Sequence, residues 1–103
     1  MRILAFLTFC LLGGGTTAEA ANVERGLNFA LANCARCHSI DKVTESPFKI
    51  APPFRTLHER YPVENLEKPL AEGIVTGHQN MPEFRLELDQ VADFIAFLKT
   101  LEK

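Results

Sequence analysis

Thiols are scarce in this chain of 103 residues, and so are methionines and long apolar runs. Of its three cysteines, Cys10 falls in the first twenty residues, which leaves Cys34 and Cys37 beyond them. Two thiols three positions apart rule out the disulfide framework that staples many small exported domains. The longest apolar run, Ile3 to Leu12, is barely half of the roughly 20 residues that a bilayer-spanning helix needs, so it is no membrane anchor. Charge of either sign is nearly balanced, with 11 basic against 13 acidic side chains, and this argues against nucleic acid or an anionic membrane as a partner. There are no internal repeats, no low-complexity tracts and no alternating apolar–polar runs of the kind that strands require. What remains is a small helical chain.

Its beginning has the form of a secretory signal. Arg2 provides the positive start, Ile3 to Leu12 the apolar stretch, and Gly13 to Ala20 a small-residue tail ending in Ala18-Glu19-Ala20. Cleavage is expected after Ala20, giving a domain over 21–103, and bulky Phe9 before Cys10 argues against a lipid anchor there. A single domain of about 80 residues buries only about 60–65% of its unfolded surface and is marginal on its own. Domains of this size often rely on a staple.

The staple is legible at Cys34-Ala35-Arg36-Cys37-His38. Two thiols three apart, followed at once by an imidazole, form the attachment pattern of a c-type haem. On a helix turning about 100° per residue, positions i, i+3 and i+4 share a face, so all three side chains can reach one flat ligand. The thiols would add across the vinyl groups, and His38 would place a nitrogen on the iron. Zinc binding and dithiol redox chemistry compete for such a pair. Zinc would need further closely spaced ligands, but only His58 and His78 follow, twenty residues apart. Dithiol chemistry would want a strand upstream, whereas residues 22–38 have helical spacing.

That first helix opens on Asn22 as N-cap, with Glu24 in its first turn and Leu27, Ala30, Leu31 and Cys34 as an apolar stripe. Gly26, mid-helix, points to another element crossing closely. Residues 39–53 have loop composition. Pro53 suits the start of a short helix over Phe54–Arg60, which Pro62 ends. A further helix is expected over 64–76, with Leu66, Leu70, Ile74 and Val75 as its apolar side, and with a start close before Pro69 or a kink there. Gly73 and Gly77 then loosen the chain into a loop through Phe84. Asp89 is the expected N-cap of the last helix, whose stripe is Val91, Phe94, Ile95, Leu98 and Leu101; Asp93 and Lys99 fall on the opposite, wet side.

A second iron ligand separates electron transfer from gas or peroxide chemistry. After cleavage Met81 is the sole methionine, in the glycine-bearing loop before the last helix. Pro82 restricts it to extended backbone, so its thioether is presented by a stiff loop. His78 is the rival ligand, and His58 is expected on an exposed helix side. A core gap-filler is the plain alternative for Met81.

With the haem motif near one end and Met81-Pro82 before the last helix, residues 21–103 resemble the class I cytochromes c, most nearly the short bacterial periplasmic members. The resemblance implies an all-α fold of small helices wrapped around one covalent haem c. It implies that the terminal helices cross at Gly26 against Phe94 or Phe97, although Ala30 replaces a larger aromatic. It also implies that the Pro52 carbonyl accepts the other ring proton of His38, although Ala51 replaces the usual glycine. Tyr61 and Arg55 would contact the propionates. The function implied is a soluble, periplasmic monohaem electron carrier cycling Fe(II)/Fe(III) between transient redox donor and acceptor proteins, and not an enzyme. A dry shell of Leu27, Leu31, Ile74, Phe94 and Leu98 would raise the potential, and Arg36, Lys42 and Lys49 would steer acidic partners. The competing readings are a haem subunit of a larger oxidoreductase complex and a haem enzyme or gas-binding protein with an open iron site.

Overall fold

The helix that leads to the motif is fixed at its start by Asn22, whose side-chain oxygen accepts the Arg25 N–H at 2.9 Å. The computed structural model describes residues 20–73 and 81–103. The expected signal segment over 1–20, apart from Ala20, lies outside the described residues, as do Ile74, Val75, Gly77 and His78. Three α-helices are described: α1 (Val23–Asn33), α2 (Glu67–Glu72) and α3 (Leu88–Thr100). Two short 3₁₀ helices, Phe54–Glu59 and Val63–Leu66, lead into α2, each behind a proline. No strand occurs among the described residues. The domain is small and all-α.

Helices α1 and α3 cross at Gly26. A Cβ built there would lie 2.7 Å from the Asp93 carbonyl carbon and 2.8 Å from Phe97 Cβ, so only glycine admits this approach. Phe97, not Phe94, is the aromatic at the crossing; Phe94 turns toward the cleft described below. Ala30, one turn on, is fully buried, and its small side chain keeps the two helices close.

The crossing overturns two sequence expectations. Asp93 is not on a wet side; it is 6% exposed. Its carboxylate accepts the Asn22 N–H at 2.7 Å and the Arg25 Nε–H at 2.8 Å, which satisfies it inside the helix interface. Leu31 is not part of the buried stripe; it is 55% exposed. The buried face of α1 centres between Gly26 and Ala30, and at 100° per residue Leu31 lies about 120° around from that centre.

Helix α3 also starts earlier than Asp89. Its N-cap is Glu87, whose carboxylate accepts from Gln90 while the Glu87 N–H donates to Gln90 Oε1 at 2.9 Å. Asp89 stays in the first turn, where its charge still favours the helix N-terminus. As Pro69 leads one to expect, the helix starts close before it: a 3₁₀ turn passes into α2, which begins two residues before Pro69 and ends at Glu72. In that position proline costs no intrahelical bond, because the first N–H groups of a helix have no partner within it. Gly73 stops α2 with φ +108, a conformation that glycine alone adopts readily.

Leu98 and Val63, each 1% exposed, are the largest fully buried side chains among the described residues and fill the core between α3 and the turns before α2. At the rim Lys99 pairs with Glu64. The Leu86 N–H donates to the Leu70 carbonyl at 2.8 Å, tying the segment after Met81-Pro82 back to α2.

Candidate functional site

Helix α1 ends at Asn33, so the Cys34–His38 motif is not inside it. Ala30 O receives both the Cys34 N–H at 2.8 Å and the Ala35 N–H at 3.0 Å, and the second, an i→i+5 bond, widens the last turn. A separate helical turn follows, in which Cys34 O accepts from Cys37 N–H at 3.1 Å and His38 N–H at 2.9 Å. The i, i+3, i+4 relation of the two thiols and the imidazole survives in that turn.

Two adjoining cavities share Cys34, His38, Met81 and Phe84 in their walls. The larger holds about 750 Å³ with its mouth included and is closed by Phe29, Phe54, Leu57, Leu70 and Phe94. The smaller, about 390 Å³, adds Cys37, Phe48 and Ala51. Phe94 meets Phe29 and Phe54 edge-on, with ring centroids 5.6 and 5.7 Å apart, so one wall is a rigid aromatic corner.

His38 Nδ1 lies 2.8 Å from the Pro52 carbonyl oxygen. A carbonyl can only accept, so Nδ1 carries the proton and Nε2 keeps the lone pair that a metal needs. The ring also packs on Phe54, with centroids 4.7 Å apart and planes inclined by 34°. Burial pushes the Cys34 thiol up to about 12, with the neighbouring Cys37 adding to the shift, so this thiol stays neutral at ordinary pH. Cys34 and Cys37 are not joined to each other. Met81 is half-buried and lines both cavities.

This donor set suits an iron porphyrin. Two thiols stand at the wall, one imidazole has its metal-binding nitrogen selected by a backbone carbonyl, one thioether shares the same space, and the remaining walls are mostly apolar. Among the described residues no three His, Cys, Asp or Glu side chains converge on a metal-ion position.

Tyr61 lines the larger cavity, and burial raises its phenol above the usual value. Arg55 does not line it; its guanidinium donates to Thr44 O at 2.7 Å in the loop after His38. Of the expected dry shell, Phe94 lines the cleft, Leu27 packs against the core and Leu98 is core, while Leu31 faces solvent. His58, Arg36, Lys42 and Lys49 are all exposed. Sequence reasoning passed over Phe29, Phe48, Leu57 and Phe84 as cleft residues. Phe84 carried a signal, two residues past Met81-Pro82.

The family model for cytochrome c matches residues 23–102. No curated protein matches the chain. The match runs from the start of α1 past the end of α3 and includes the Cys34-Ala35-Arg36-Cys37-His38 motif of covalent haem attachment, and the chain belongs to the cytochrome c family.

Proposed function

We propose that this protein is a soluble one-electron carrier of the periplasm, working on residues 21–103 after a signal peptide over 1–20 is removed. The observation that carries the reading is the pairing of His38, its Nδ1 fixed on Pro52 O, with Met81 in the walls of one apolar cleft. Haem c, when bound, supplies an iron that takes up and gives back a single electron.

The chain's own residues do the rest. Cys34 and Cys37 would hold the macrocycle through two thioether bonds, and His38 Nε2 and Met81 Sδ would be the protein's donors to its iron. Pro52, by accepting the Nδ1 proton, fixes the imidazole plane and strengthens Nε2 as a donor. Pro82 keeps Met81 extended, and the Leu86–Leu70 backbone bond holds the segment that follows it in place. Phe29, Phe54, Phe84 and Phe94 exclude water, which favours the less charged state of the site. Tyr61, which lines the cleft, is the residue proposed to hydrogen-bond a propionate. Donor and acceptor are redox proteins that dock transiently; the near-neutral charge suits neither nucleic acid nor an anionic membrane. Among the described residues no helix is long and apolar enough to cross a membrane.

An optical redox titration of protein purified from the periplasm tests this reading. The expected result is a reversible one-electron transition of a low-spin chromophore that does not bind carbon monoxide rapidly when reduced. Rapid carbon monoxide binding would replace it with an open-site protein.

A further inference from the structure

The resemblance implies a propionate contact for Arg55, yet its guanidinium is turned to the segment that follows His38. Arg55 Nη1 donates to Thr44 O at 2.7 Å and lies 3.3 Å from Ser39 Oγ and 3.4 Å from Asp41 O. Ser39 directly follows His38, is 3% exposed and has every polar atom engaged. Its N–H donates to Ser46 Oγ at 3.0 Å, its carbonyl accepts the Phe54 N–H at 2.9 Å, and its hydroxyl pairs with Thr44 Oγ1 at 3.0 Å. Asp41 stiffens the same loop by accepting the N–H groups of Val43 and Thr44 at 2.8 and 2.7 Å.

The other side of this arrangement is the Pro52–Phe54 segment, which makes two contacts to the His38 ring: the Pro52 carbonyl and the Phe54 face. Arg55 is the next residue along. The ring's own stretch of chain and the Pro52–Phe54 segment are tied by the Phe54–Ser39 backbone bond and by the Arg55 guanidinium. The geometry points to Arg55 as a positioning residue that keeps Pro52 O against the His38 Nδ1 proton and through that bond sets the donor strength of His38 Nε2 toward iron. This rests on His38 being an axial ligand, as proposed above. The direction follows from the chemistry. A firm Nδ1–H···O bond gives the imidazole partial anionic character and stabilises the ferric state, so loosening it raises the potential.

The test uses the haem-loaded protein and the variants Arg55→Gln and Arg55→Lys. The wild-type spectrum comes first: absence of low-spin axial ligation would sink the axial reading itself, independently of Arg55. Two quantities are then read in each variant, the midpoint potential and the solvent-exchange rate of the His38 Nδ1 proton in the reduced protein by NMR. Arg55→Gln is expected to raise the potential and to speed exchange about tenfold, the effect of weakening roughly one hydrogen bond. Arg55→Lys, which keeps one charged donor, is expected to recover part of both. A changed potential with unchanged proton exchange would mean that Arg55 acts only through its charge, and overturns the positioning role. So does a lowered melting temperature with both readouts unchanged. Where Arg55→Gln does not accumulate, Arg55→Lys and Ser39→Ala carry the test, with smaller shifts in the same direction expected and no shift in either overturning it.

Discussion

Replacing Gly26 by alanine probes the helix crossing on which the cleft rests. The added methyl would sit 2.7 Å from the Asp93 carbonyl carbon and 2.8 Å from Phe97 Cβ, where ordinary contact begins at 3.4 Å. Neither neighbour can turn aside, since one is backbone and the other is a β-carbon. Truncating Phe97 to alanine would leave both in place. Helix α1 must therefore back away from α3 by at least about 0.7 Å, the difference between 3.4 and 2.7 Å, because the Asp93 carbonyl oxygen lies closer than its carbon. A gap of 0.5–1 Å forfeits about a quarter to a half of the dispersion energy of the contacts it opens. Overpacking of this kind costs about 1–3 kcal/mol, against which alanine returns about 1 kcal/mol of helix propensity, and the widened interface also loosens the bonds of Asp93. We expect a net loss of about 2 kcal/mol, or a melting temperature lower by about 8–16 °C in a domain of this size. Thermal unfolding of the haem-loaded protein, followed by far-ultraviolet circular dichroism, measures it. An unchanged or raised melting temperature would refute the close crossing, because propensity alone makes Gly26→Ala stabilising.

Two further outcomes follow from the same structure. Asp93 is held below the usual carboxylate range first by its hydrogen bonds from Arg25 and then by the Asn22 N–H. Its contribution is thus full above the unfolded value of about 3.9 and is lost as pH falls through the lower folded value. Asp93→Asn should cost about 1–2 kcal/mol at pH 7 and flatten the acid decline of the melting temperature below about pH 4; an acid limb as steep as that of the wild type would contradict this. Replacing Cys34 and Cys37 together by alanine should abolish covalent haem retention on a denaturing gel and leave a chain that yields little folded protein, and normal yields of folded haem-free protein would show that the domain needs no staple.

The sequence made local features visible and hid those that depend on distant pairing. The motif, the Asn22 cap, the loop over 39–53 and the close approach at Gly26 follow from short-range spacing, and each stands in the described fold. Asp93 was unreadable because a carboxylate opposite an apolar stripe is normally solvated; its burial depends on Arg25, 68 positions away. Leu31 failed for a different reason. A stripe chosen by i+3 and i+4 steps can be centred on either side of Ala30, and only the position of α3 decides which. Glu87 was overlooked as a cap because glutamate is an unusual one, and its role appears only with Gln90 answering it. At the site, the chemically distinctive residues Cys34, Cys37, His38 and Met81 stood out by type. Apart from Phe94, the phenylalanines that wall the cleft did not, because one apolar residue resembles another until the chain is folded.

The central claim, that His38 and Met81 grip the iron from opposite sides, is tested most directly by the absorption spectrum of the oxidised protein before and after Met81→Ala. The account predicts a low-spin ferric spectrum with a weak sulfur-to-iron charge-transfer band in the wild type. In the variant that band should vanish and the spin state change, with haem still covalently attached. A wild-type spectrum without the band, or a variant indistinguishable from it, would contradict the assignment.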